Sequence, residues 1–299
     1  MPATPAPPLH LDTVSPVNPT GANVLCLPGM FTGSWFFQKL LPLIAARGYP
    51  AFALSYRGHP PNDVLASIGR QSLTDFGRDA ATAARQLDRP IVIGHSLGGL
   101  LALMMNGRNL TRAAVLISPA PARGISVFTP RLIARMMNYL PAFLLSRPFL
   151  PNDRDLDALL LNRVAATDRK AIRTRLVADS GRAARQIALG VFKVPARAVR
   201  CPMLVVGCEH DRFMSLRVAD HVARKYGSPL HVARGHGHFL FGEPGWEEQA
   251  RVMLDWIDRL PRATRDPMSE VRHGLGRENP LPTERIRSIP LNSTLHERP

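Results

Sequence analysis

The chain has 299 residues, 45% of them hydrophobic, enough for one large core, which excludes a disordered or peptide-like molecule. Its formal charge is +15, yet aromatics are only 6% and are not interleaved with the arginines. No zinc-ligand spacing or RNP-like stretch accompanies the charge, so no nucleic-acid partner is expected. No stretch approaches the ~18 uninterrupted apolar residues of a membrane span. The N-terminus MPATPAPPLH lacks the basic and apolar regions of a secretory signal, and Cys26, Cys201 and Cys208 form no CxxC pair. A reducing, cytoplasmic setting is the expectation.

Residues 1–20 read as a Pro-rich N-terminal tail. A strand over 23–27 (NVLCL) leads through a Gly-containing loop to a helical pattern at 34–46, and a strand over 51–56 (AFALSY) is followed by a helix at 74–87. Strand 90–94 (PIVIG), helix 97–107 and strand 113–117 (AAVLI) come next. The rhythm then breaks. Residues 119–200 show helical periodicity at 130–140, 154–166, 169–179 and 182–193, punctuated by Pro141, Pro148, Pro151 and Pro195, with no convincing strand. That segment holds a net +10 of the charge. Only four of the 38 basic residues are lysine, so arginine-rich composition is an alternative source of the excess. Strand 203–207 (MLVVG), helix 216–226, strand 230–233 (LHVA) and helix 245–260 restore the alternation, and 261–299 reads as a disordered basic tail.

Near-continuous apolar strands alternating with helices predict an α/β fold, a doubly wound and mostly parallel sheet. The core is expected over 21–118 and 201–260, with 119–200 as a helical cap inserted between strands.

The strongest chemical signal is Gly94-His95-Ser96-Leu97-Gly98, lying between an apolar strand and a helix. GxSxG alone is weak. In this context it fits a nucleophile elbow, in which Ser96 stands on a sharp turn near a helix N-terminus. A serine hydroxyl needs a base, and the base needs an orienting acid. The loop after strand 203–207 supplies Glu209, His210 and Asp211, and the loop after 230–233 supplies His236 and His238. Asp211 is the expected acid and His238 the expected base, with Glu209, His210 and His236 as competitors. Backbone N–H groups of Leu97 and of Met30, in the loop after the first strand, are the expected oxyanion donors. There is no HExxH and no carboxylate cluster, so neither a metal nor a cofactor is expected.

Across about 21–260 the chain resembles the α/β-hydrolase superfamily, in its serine esterase, lipase and lysophospholipase-like branch. The likeness rests on LPGMFTGSW (27–35), SYRGH (55–59), IGHSLGG (93–99), LISPAP (116–121), GCEHDRF (207–213) and GHGHFLFGEPGW (235–246). It implies a triad of Ser96, Asp211 and His238 with the Met30 and Leu97 amides as oxyanion hole. Pro28 stands where many relatives carry histidine, which affects loop shape. The Arg57-Gly58-His59 loop is structural by the same likeness. Ser96 at the elbow distinguishes the chain from haloalkane dehalogenases and epoxide hydrolases, which carry aspartate there.

The expected activity is hydrolysis of a lipophilic carboxylic ester through an acyl-enzyme. Phe31, His95, Met136, Met137 and Phe143 are the candidate substrate contacts. Acyl transfer, thioester, amide or lactone cleavage would use the same triad, and an idle binding protein on this scaffold is the non-enzymatic alternative. The basic, apolar segment 130–150 is a candidate for peripheral contact with an anionic membrane. The sequence leaves the oligomeric state open.

Overall fold

The computed structural model describes residues 9–19, 21–63 and 65–261. In chain order the first half carries β1 (Leu11–Val14), β2 (Val24–Leu27), α1 (Leu40–Ala46), β3 (Ala51–Leu54), α2 (Leu73–Gln86), β4 (Ile91–His95), α3 (Leu97–Asn106) and β5 (Ala113–Ile117). Between β5 and the next strand of the main sheet lie α4 (Pro130–Met136), α5 (Leu140–Leu144), β6 (Pro148–Phe149), α6 (Asp153–Leu159), α7 (Ala166–Arg173), β7 (Asp179–Ser180) and α8 (Gly181–Ala188). The chain then returns through β8 (Met203–Cys208), α9 (Leu216–Tyr226), β9 (Leu230–Ala233) and α10 (Trp246–Asp258).

The main sheet has seven strands in the order β1-β3-β2-β4-β5-β8-β9. Only β1 pairs antiparallel, and the rest of the sheet is parallel. Every residue of β2, β4, β5 and β8 is buried, because helices cover both faces, and this is why those strands read as unbroken apolar runs. All ten residues of α3 are buried as well, so it has no polar face. In contrast, α2 starts with a capping box in which Ser72 and Asp75 satisfy each other's backbone amides.

Several expectations need correcting. Residues 11–14 belong to the sheet rather than to a tail: Leu11 pairs with Leu54 and Val14 with Ala51. As an edge strand with one neighbour, β1 is only half-buried and carries no continuous apolar run. The helix expected over 34–46 divides into a 3-10 turn, Ser34–Phe37, and α1. Pro42 has no N–H for a continuous helix, but the first turn of α1 needs none there. Pro141 likewise opens α5 rather than separating two helices. Segment 119–200 also contains a two-stranded ribbon, β6 with β7, where only helices were expected. Of the tails, residues 1–8, 20 and 262–299 lie outside the described residues.

Cys26, Cys201 and Cys208 are free thiols. Burial pushes the Cys26 and Cys208 thiols above their ordinary range, which makes them inert packing groups.

Two glycines on neighbouring helices should respond oppositely to alanine. A Cβ on Gly98, in α3, would lie 2.0 Å from the Leu27 carbonyl oxygen, a backbone atom that cannot step aside. A Cβ on Gly77, inside α2, would meet nothing closer than 3.8 Å. We expect Gly98→Ala to destabilise the fold by about 1–3 kcal/mol or more in urea denaturation. Gly77→Ala should stabilise it by about 0.5–1 kcal/mol. A neutral Gly98→Ala would contradict this packing.

Candidate active site

Ser96 stands between the last residue of β4 and the first of α3 with φ 51° and ψ −114°. A non-glycine residue adopts this backbone only where the surroundings enforce it. Here the Ser96 N–H donates to Ile117 O (3.0 Å), and Ser96 O accepts from the N–H groups of Gly99 (3.0 Å) and Ala120 (2.9 Å). A Cβ on Gly94 would sit 2.3 Å from Gly98 O, so the turn closes only with glycine there.

The loops after β8 and β9 bring Asp211 and His238 together. His238 Nδ1 lies 2.7 Å from Asp211 Oδ2, with both side chains buried. The carboxylate can only accept, so Nδ1 carries the proton. Asp211 Oδ1 accepts two further bonds, from the N–H groups of Phe213 and Met214, each 2.8 Å. Three donors on one buried carboxylate fix its orientation.

The competitors are occupied elsewhere. Glu209 Oε2 accepts the Gly235 N–H (2.8 Å) on the surface, which draws its carboxyl below the usual range. His210 is exposed, and its N–H donates to His236 O. His236 Nδ1 meets the buried carboxylate of Glu243 at 3.2 Å. None of these three side chains lines either cavity described below.

Two cavities meet at Ser96. The larger, about 310 Å³, is walled by segment 119–200 and includes Met30, Met136, Met137, Phe143 and Phe149; its lining has only two polar side chains, Ser96 and Arg185. Arg185 is committed to the carbonyls of Phe143 and Leu144 (2.8 and 2.7 Å). The smaller, about 10 Å³, is lined by Met30, Phe31, His95, Ser96, Phe213 and His238 among others. That is room for one water molecule. No hydrogen bond joins Ser96 to His238 among the described residues, although both face this small space.

Of the five expected substrate contacts, Met136, Met137 and Phe143 line the larger cavity. Phe31 and His95 line only the smaller one. The His95 ring stacks on Phe36 at 4.4 Å, and its Nε2–H donates to His238 O (2.8 Å). Burial, together with the neighbouring His238, holds this imidazole well below its ordinary pKa. His95 is thus a neutral brace under the His238 loop, and its buried Nδ1 has no hydrogen-bond partner among the described residues. Sequence reasoning missed Phe213, whose ring meets His238 edge-on at 5.2 Å and lines both cavities. Its signal was its place two residues after Asp211, at the end of the GCEHDRF stretch.

The amides of Met30 and Leu97 donate to no acceptor among the described residues. Among the same residues no group of three or more His, Cys, Asp or Glu side chains converges as a metal-ligand set.

Comparison with known proteins agrees with this architecture. Solved structures sharing the fold include a Paleococcus ferrophilus monoacylglycerol lipase (20% identity, TM-score 0.64, covering 83% of this chain and 98% of that one). A methylesterase from Arabidopsis (14%, 0.63, 79% and 99%) and MenH from S. aureus (15%, 0.65, 83% and 98%) are similar to it as well. No curated protein sequence matches the chain. The sequence model of the alpha/beta hydrolase family matches residues 24–281, and the chain belongs to that family.

Proposed function

We propose that this protein is a serine hydrolase cleaving carboxylic esters of a lipophilic acyl group through an acyl-enzyme on Ser96. The observation that carries the proposal is an apolar cavity of about 310 Å³ with Ser96 in its wall, joined to a water-sized space shared with His238. Similarity to the solved structures of a lipase and a methylesterase supports the same class of reaction.

In the proposed mechanism His238 Nε2 takes the Ser96 Oγ proton as Oγ attacks the acyl carbonyl carbon. The carbonyl π electrons move onto oxygen, which the N–H groups of Met30 and Leu97 receive, the latter aided by the N-terminus of α3. Asp211 orients the imidazole and stabilises its positive charge. Collapse breaks the bond to the alkoxy oxygen, which leaves as the alcohol with the proton from His238. Water then gives a proton to Nε2 and its oxygen to the acyl carbon. The second collapse releases the carboxylic acid and returns the proton to Ser96 Oγ. No step calls on a cofactor.

The acyl chain would lie in the larger cavity, where burial contributes about 0.8 kcal/mol per methylene. A thioester substrate or an acceptor other than water would use the same groups, and product analysis with added alcohol separates hydrolysis from transfer. The free cysteines support a reducing compartment such as the cytoplasm.

Eight of the ten exposed large hydrophobics of the described residues belong to segment 119–200, among them Phe128, Ile133, Met137, Leu144 and Leu189 at the cavity mouth. Exposed Arg131 and Arg147 lie in the same stretch. We read this apolar, basic rim as a peripheral contact for an anionic lipid surface. Flotation should recover the protein with vesicles containing phosphatidylserine and not with pure phosphatidylcholine. Equal recovery, or none, contradicts that reading.

Two mutational outcomes follow from the site. Asp211→Asn keeps the loop but loses the carboxylate, and kcat should fall by about 10⁴. Glu209→Gln should leave kcat near wild type; the reverse pattern moves the acid to Glu209. Met137→Ala enlarges the cavity at an exposed position, so it should shift preference among p-nitrophenyl ester chain lengths by about 1–3 kcal/mol. A flat chain-length profile with a lowered Tm would instead mark Met137 as a packing residue.

A further inference from the structure

Deep beneath the loop that carries the Met30 amide lies a second ionisable pair, which the mechanism above does not use. Asp179, in β7 of the inserted segment, is fully buried, and so is His59, in the loop after β3. His59 Nε2 meets Asp179 Oδ2 at 3.0 Å, and the same oxygen accepts the Phe31 N–H at 2.9 Å. Oδ1 accepts the Ser180 N–H. Burial opposes both charges, yet their mutual attraction outweighs it. His59 is held above its ordinary pKa and Asp179 below its own. A buried ion pair adds little net stability over apolar packing of the same volume. Its value must be sought in what it orients.

What it orients is the turn at Phe31. Phe31 has φ 67°, a left-handed conformation rare for an aromatic residue. Both of its backbone polar groups are taken by the inserted segment: its N–H by Asp179, and its carbonyl by the Val177 N–H at 3.0 Å. The turn folds Thr32 back, so that Oγ1 donates to Gly29 O at 3.0 Å. Gly29 C=O and Met30 N–H belong to one planar peptide and point in opposite directions. Fixing the carbonyl on Thr32 therefore fixes where the Met30 N–H points.

We propose that Asp179 is a positioning residue for the oxyanion donor: with His59 it holds Phe31 in its left-handed turn, and through Thr32 it aims the Met30 amide at the acyl oxygen. The inserted segment thereby sets the reaction's electrostatics as well as the shape of the acyl cavity. This rests on the reading of Ser96 as nucleophile and Met30 as oxyanion donor.

The test is kinetic, on the full chain with p-nitrophenyl butyrate. Asp179→Asn and Thr32→Val should each lower kcat by about 10- to 100-fold, the scale of a small misplacement of a reacting group. KM should stay within about twofold of wild type. Thr32→Ser, which keeps the hydroxyl, should restore most of kcat. The Ki of an n-alkyl trifluoromethyl ketone, whose hemiketal oxygen carries the charge, should rise in proportion to the fall in kcat/KM. The Ki of a matching non-hydrolysable ether should not move. Hydrogen exchange on the wild-type protein needs no variant, so it holds even if Asp179→Asn fails to fold: the Phe31 amide should be protected like the sheet. Exchange of that amide at the rate of an open loop overturns the proposal, as does an unchanged trifluoromethyl ketone Ki in Thr32→Val. Wild-type turnover in Ser96→Ala overturns the underlying reading and this proposal with it, so the two failures are distinct.

Discussion

Where β2 ends, β4 turns into α3 with the backbones of Leu27, Gly94 and Gly98 packed closer than any side chain permits. That contact delivers three things to one point: Ser96 in its strained conformation, the N–H of Leu97, and the start of the loop that carries Met30. Left-handed backbone at a serine costs roughly 1–3 kcal/mol, which the wholly buried strand and helix on either side offset. The loops at the carboxyl ends of β8 and β9 then add Asp211 and His238. Remove the close approach and the remaining groups have no common focus.

Segment 119–200 is bound to that focus rather than merely covering it. Asn162 donates to His210 O in the loop of Asp211, and Arg163 to Gly235 O in the loop of His238. Asp179 and Val177 grip Phe31 on the opposite side. Some of the segment's arginines are paired within it: Arg135 with Asp155, and Arg173 with Asp153 and Asp157. Arg163 and Arg185 cap carbonyls. These arginines are held by the fold, while others, such as Arg131 and Arg147, are exposed.

The central sheet was legible because strands buried on both faces leave unbroken apolar runs, and the serine turn because its glycines are demanded by backbone distance. Edge strand β1, half-buried with one neighbour, leaves no such trace. The choice between Asp211 and Glu209 was open because they stand two residues apart in one loop. The local backbone separates the two: the amides of Phe213 and Met214 hold Asp211 inward, while the Gly235 amide holds Glu209 at the surface. His236 and His238 divide in the same way, one to Glu243 and one to Asp211. The His59–Asp179 pair joins residues 120 positions apart, and no periodicity or spacing announces such a contact.

If Ser96 is the nucleophile, the acyl group passes through a covalent ester on its Oγ. Rapid mixing with p-nitrophenyl butyrate, quenching in acid and mapping the peptides by mass spectrometry tests it directly. The expected result is a butyryl adduct on the peptide containing Ser96, formed with a burst of p-nitrophenol of about one equivalent per enzyme. Turnover at full rate with no adduct on that peptide, or an adduct on another residue that forms and decays at the turnover rate, would contradict it.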